Sequence, residues 1–115
     1  MSKPMYPERT QELQAWRKEL APNQAQAFQD FSKAVFAEGA LDEKTKQLIA
    51  VAVAHVTQCP YCIKGHTKGA KAKGASAEEI MEAIWVAAEM RAGGAYAHSA
   101  LALQTLQDLD SESGE

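Results

Sequence analysis

DEKTKQLIAVAVAHVTQCPYCIKGH, residues 42–66, reads as two helices separated by a short break. Asp42 is a good N-cap, because its carboxylate can accept from an otherwise unpaired first-turn amide. Leu48, Ile49, Val51, Ala52, Val53 and Val56 then make a helix apolar around its circumference, as expected of one running through the centre of an assembly. Val51 to Val56 also alternates as a strand would. Helix is favoured, since Glu43 to Gln47 lead in without a breaker and no partner strand occurs elsewhere. Gln58-Cys59-Pro60 interrupts the pattern. Pro60 suits the first position of a further helix with Cys59 as its N-cap, and Gly74 suits the residue just past its end.

Working outward, Leu13, Trp16 and Leu20 share one face of a helix expected at 7–20, with Pro7 in its first turn. Pro22 opens a second helix carrying Phe28, Phe31 and Val35, and Gly39 is expected to supply its left-handed stop. Ser76-Ala77-Glu78-Glu79 has capping-box spacing, followed by Ile80, Ala83, Ile84 and Ala87 at helical period. Gly93-Gly94 marks a junction before a sixth helix striped by Tyr96, Ala100 and Leu103. The expected fold class is all-α, a single-domain six-helix bundle over residues 1–107, with an acidic disordered tail at 108–115.

Composition narrows the function classes. The chain has 115 residues, 46% hydrophobic and only 7% aromatic, so its core must come largely from Ala, Leu, Val and Ile. Small side chains imply close-packed helices and burial against a second copy. Four of the 15 acids lie in the last eight residues, leaving 12 basic against 11 acidic residues before them. That balance argues against nucleic acid as a partner, which needs dense positive charge. No apolar run approaches the length of a membrane span and no leader-like stretch is evident, so a cytoplasmic domain without a membrane partner is expected.

Cys59 and Cys62 are the only cysteines, and a loop this short constrains little of the unfolded chain. Their value is therefore chemical. Both fall in the first turn of a helix, where unpaired amides and the positive end of the helix dipole favour a thiolate. His66 follows Cys62 by four residues on the same helical face, placed to carry a proton. Lys64 and Lys68 add positive potential. A thiolate of this kind can reduce a peroxide: it becomes a sulfenic acid, the second thiol condenses with it, and an external dithiol resets the disulfide. No cofactor is required.

A metal reading competes. His55, Cys59, Cys62 and His66 supply ligands suited to tetrahedral zinc, although no second CxxC or HxxxH pair occurs to spread them over two elements. Ile63 stands where a c-type haem motif needs histidine. A plain reading also exists, in which the two cysteines are small buried hydrophobes beside a core histidine.

Residues 41–66, LDEKTKQLIAVAVAHVTQCPYCIKGH, with the later RAGGAYAHSAL segment, resemble the carboxymuconolactone decarboxylase superfamily in its alkyl hydroperoxidase D (AhpD)-like branch. The resemblance spans about Leu41 to Leu103. It implies a helical protomer assembling as a homo-oligomer, a trimer or hexamer, with thiol-dependent peroxidase or disulfide-reductase activity on a hydroperoxide. By motif position Cys62 matches the peroxidatic cysteine, Cys59 the resolving one and His66 the proton-relay histidine. Two positions depart from that pattern. Gln47 stands where the family often has glutamate; it can orient His66 by hydrogen bonding but cannot take a proton at neutral pH. Tyr61 lies between the cysteines where a well-studied branch has histidine, and a phenol titrating near about 10 is a poor base. His98, Glu89 and Glu43 are candidate substitutes.

Helix-dipole logic favours Cys59 as the attacking sulfur and the resemblance favours Cys62; sequence leaves both open. The expected function is a thiol-dependent alkyl hydroperoxidase or disulfide reductase with catalytic candidates Cys59, Cys62, His66, Gln47, Tyr61 and His98. The alternatives are a redox-sensing or zinc-binding module and a lactone decarboxylase. Trp16, Phe28, Phe31, Phe36 and Trp85 read first as core or subunit-interface residues, and alternatively as the lining of a substrate pocket. Gly65 and Gly69, i and i+4 on the cysteine-bearing helix, would let another helix approach closely.

Overall fold

Local signals start and stop most of the helices in the computed structural model, which describes residues 5–113. Helix α1 is Gln11–Leu20, α2 Pro22–Phe36, α3 Glu43–Thr57, α4 Pro60–Ala72 and α5 Ala77–Ser113. No strand occurs among the described residues. Asp42 caps α3 by accepting from the Thr45 amide at 2.7 Å. Ser76 and Glu79 form a reciprocal capping box: the Glu79 amide donates to Ser76 Oγ at 3.1 Å and the Ser76 amide to Glu79 Oε1 at 2.9 Å. Lys44 Nζ completes it by donating to Glu79 Oε2 at 2.8 Å, tying α3 to the start of α5.

The core lies where α3, α4 and the first half of α5 meet. Val51 and Ala70 are completely buried, Ala75 nearly so, and Leu48, Ile80 and Ile84 pack against them. Small residues at Ala54, Ala70 and Ala87 let the helices close together. Lys73 and Glu43 pair across the α3–α4 contact.

Four expectations are corrected. The bundle has five helices, because α5 runs unbroken through Gly93-Gly94. Glycine weakens a helix but keeps its backbone N–H, so the i→i−4 ladder continues where proline would have broken it. The same helix carries on to Ser113 across Asp108 and Asp110, where a disordered tail was expected; Gly114 and Glu115 lie outside the described residues. The first helix begins at Gln11 rather than Pro7, since Thr10 Oγ1 accepts from the Leu13 amide at 3.1 Å and makes the better start. Helix α2 stops without a left-handed glycine. Ala37 turns extended, and Lys46 Nζ donates to the carbonyls of Val35 at 2.8 Å and Ala37 at 2.6 Å, satisfying the helix end with a cation. Positive φ occurs only at Gln58, which ends α3, and Gly74, which ends the α4 turn, among the described residues.

The protomer is elongated, 67 × 36 × 34 Å, with a radius of gyration of 20.7 Å. A compact domain of this length would measure about 13 Å. Helix α5 supplies the long axis, and every residue from Ala95 to Ser113 is exposed, Leu101, Leu103, Leu106 and Leu109 included. No helix among the described residues is long and apolar enough to cross a membrane.

Candidate thiol site

Pro60 opens α4 without needing an amide partner, which leaves Cys59 in the capping position with extended backbone. Its sulfur accepts from the Cys62 amide at 3.3 Å. One turn of helix brings Cys62 round to the same side, and the two thiols hydrogen-bond with their sulfurs 2.7 Å apart. Both cysteines are half-buried and free. The hydrogen bond from Cys62, backed by the Cys62 and Tyr61 amides, pulls the Cys59 thiol below its ordinary range. The same bond, with burial and the charge on Cys59, pushes Cys62 up, against a downward pull from Arg9. Of the two, Cys59 is thus the sulfur that gives up its proton first, with Cys62 then donating to it.

His66 stands one turn after Cys62. Its Nδ1 lies 2.9 Å from Gln47 Oε1 on α3, and an amide oxygen only accepts, so Nδ1 carries the hydrogen and Nε2 is left as the free base. Phe36 stacks on the imidazole, with centroids 5.0 Å apart and planes at 27°. The ring is therefore held from two sides, by α2 and by α3.

Cys62 and His66 line two cavities. One, about 410 Å³, runs over Val35, Phe36, Ile49, Ala50 and Val53 and is almost wholly apolar. The other, about 510 Å³, is walled by Phe28, Phe31 and Gln47 with Arg9 at its edge. The structure thus brings Cys59, Cys62, His66 and Gln47 together. An oxidisable sulfur pair, a free imidazole nitrogen and an apolar approach are the parts needed for thiol chemistry on a small organic molecule.

The other candidates divide. Tyr61 lines the larger cavity beside Cys62 and His66, with its hydroxyl donating to the Pro7 carbonyl at 2.6 Å and its ring meeting Tyr6 edge-on at 6.0 Å. His98 is exposed on α5, with Nδ1 on the Gly94 carbonyl of its own helix at 2.7 Å, and it lines neither cavity. His55 is likewise tied to the Val51 carbonyl at 2.7 Å. Glu43 pairs with Lys73, and Glu89 lines neither cavity. The zinc arrangement is not assembled, since no group of three or more His, Cys, Asp or Glu able to hold one ion occurs among the described residues. Sequence reasoning missed Arg9, which sits in an irregular segment, and Phe36 takes up the second of its two expected places, as lining of both cavities.

The chain matches the family model described as "Carboxymuconolactone decarboxylase family" over residues 22–105. It is 70% identical over 84 residues to uncharacterized protein 4 in the cox locus of Paracoccus denitrificans, covering 73% of this chain and 76% of that protein. An uncharacterized protein of Haemophilus influenzae is 41% identical over 83 residues, covering 72% and 74% of the two chains. Among solved structures, a carboxymuconolactone decarboxylase family protein from Legionella pneumophila is 36% identical with a TM-score of 0.65, covering 84% of this chain and 86% of that one. A Thermotoga maritima protein of the same family, for which a part in the antioxidative response is suggested, is 30% identical with a TM-score of 0.57, covering 80% and 95%. With its all-helical fold and a family match that takes in α2, α3, α4 and most of α5, the chain belongs to the carboxymuconolactone decarboxylase family.

Proposed function

We propose that this chain is a thiol-dependent hydroperoxide reductase of the AhpD-like kind, working through Cys59, Cys62 and His66. The observation that carries the reading is the 2.7 Å contact between the two sulfurs at the N-terminus of α4, with Cys62 sharing its cavities with an imidazole whose Nδ1 is already engaged.

The steps balance as follows. Cys62 passes its proton to Nε2 of His66, and the resulting thiolate attacks the terminal oxygen of the hydroperoxide. The O–O bond breaks, an S–O bond forms, and sulfur is oxidised to the sulfenic acid. The leaving alkoxide takes the proton back from His66 and departs as the alcohol. Cys59 then attacks the Cys62 sulfur, the S–S bond forms, and hydroxide leaves as water with the proton from Cys59. An external dithiol reduces the disulfide and is itself oxidised. The lowered ionisation range of Cys59 suits it to the second attack, and the position of Cys62 in the cavity suits it to the first.

A reducing compartment such as the cytoplasm suits a pair that must be reset by dithiol. The protomer is also proposed to assemble with its own copies, as a trimer or hexamer. Trp16, Phe28, Phe31 and Trp85 are each more than half exposed, and the second half of α5 has no tertiary cover, more apolar surface than a lone chain keeps in water. Light scattering giving the mass of three or six chains supports assembly, and a single-chain mass at micromolar concentration refutes it. The activity is tested by following consumption of an alkyl hydroperoxide in the presence of a dithiol. Turnover should vanish in Cys62→Ser and stop after one equivalent in Cys59→Ser, and unchanged multiple turnover in either refutes the proposal.

A further inference from the structure

We propose that Gly69 is a positioning residue: the space left by its missing side chain is the seat of the Gln47 amide, and that seat directs Gln47 Oε1 onto His66. A Cβ at position 69 would lie 2.6 Å from Gln47 Oε1, 2.9 Å from Cδ and 3.3 Å from Nε2. The whole amide head therefore rests where a methyl group would be. Contacts this short do not survive, so one side must give way.

The glycine is called for by space and not by backbone conformation. Gly69 is not among the residues with positive φ, unlike Gly74, whose φ of 93° any side chain would strain. It sits inside α4, where alanine would form the better helix. Gly65, one turn earlier on the same helix, has nothing within 4 Å of its Cβ position, so close approach is local to Gly69 and not general along α4. The element that approaches there is the Gln47 side chain of α3, the group that bonds His66 Nδ1 at 2.9 Å.

Alanine at 69 has an inexpensive escape. The amide is the far end of a flexible side chain, so it swings aside while α3 and α4 stay packed on Val51 and Ala70. Swinging aside breaks the bond to His66. The ring then loses its preference for hydrogen on Nδ1, and Nε2 is no longer held as the free base. Helix stability and site order are thus expected to move in opposite directions.

This role rests on the reading of His66 as proton carrier, and nitrogen-15 NMR of the imidazole in the resting protein tests it without any peroxide. Wild type should show His66 with hydrogen on Nδ1. Gly69→Ala should melt no lower than wild type, show a mixed tautomer, and turn over peroxide about tenfold more slowly, the effect of losing one orienting hydrogen bond. Gln47→Ala should behave alike, and the double variant should be no worse than Gln47→Ala alone. A Gly69→Ala chain that fails to fold, but is restored by Gln47→Ala, also supports the role. An unchanged His66 tautomer in Gly69→Ala, a double variant that loses more than Gln47→Ala, or misfolding in both backgrounds overturns it. Should wild type consume no peroxide while the tautomers respond as described, the peroxidase reading fails and the role of Gly69 stands.

Discussion

Replacing Val51 by alanine tests the packing that holds α3 against α4. Val51 is completely buried, in a cluster whose other buried members, Ala70 and Ala75, have little side chain to move. Two carbon groups leave the core, worth about 0.8 kcal/mol each, or about 1.6 kcal/mol of lost transfer energy. Backbones held by Ala70 and Ala75 collapse poorly into the space, and a residual hole of about 40 Å³ adds about 1 kcal/mol. The total, about 2.5 kcal/mol, is a large part of the stability of a small domain. For a chain of this length it lowers the melting temperature by roughly 10 °C. Circular dichroism melts at matched subunit concentration give the measurement, because self-association would stabilise both proteins by mass action. A drop below about 3 °C refutes the reasoning and shows that Val51 is not where the helices are clamped.

Three further outcomes are expected. Alkylation followed against pH should find Cys59 reacting below the ordinary thiol range and Cys62 above it; Cys62→Ala removes the donated hydrogen bond and should move Cys59 upward, and an unmoved Cys59 refutes that cause. Gly74→Ala places a side chain at a φ of 93° and should cost about 1–2 kcal/mol in urea unfolding, whereas Gly39→Ala, where the new Cβ meets nothing closer than 3.6 Å and φ is not positive, should cost nothing measurable; equal effects refute the backbone argument. Tyr61→Phe removes the donor to the Pro7 carbonyl, so amides of residues 8–10 should exchange with solvent about fivefold faster, and unchanged exchange shows that this bond does not hold the segment.

The helix starts that were legible are those written within three or four residues. Asp42 reaches Thr45, Cys59 reaches Cys62, and Ser76 and Glu79 reach each other, so residue type and spacing suffice to place them. The same locality made the thiol pair and His66 readable as one helical face. Stops were harder. Gly39 looked like a terminator, but α2 is ended by Lys46, which comes from α3 ten residues past Phe36. Gly93-Gly94 looked like a junction, but glycine only lowers helix preference, and a long apolar-striped helix carries through it.

What residue order alone decided is therefore the helical class, the placing of two thiols and an imidazole within two turns, and the place of Cys59 at a helix start, because each depends on near neighbours in the chain. Tertiary packing decided the rest. The bond from His66 to Gln47 joins residues nineteen apart, the Phe36 ring arrives from α2, Tyr61 turns to the N-terminal segment, and Arg9 comes to the cavity edge from outside any helix. These contacts exist only after α3, α4 and α5 have closed on Val51, and no spacing rule within a single helix encodes them.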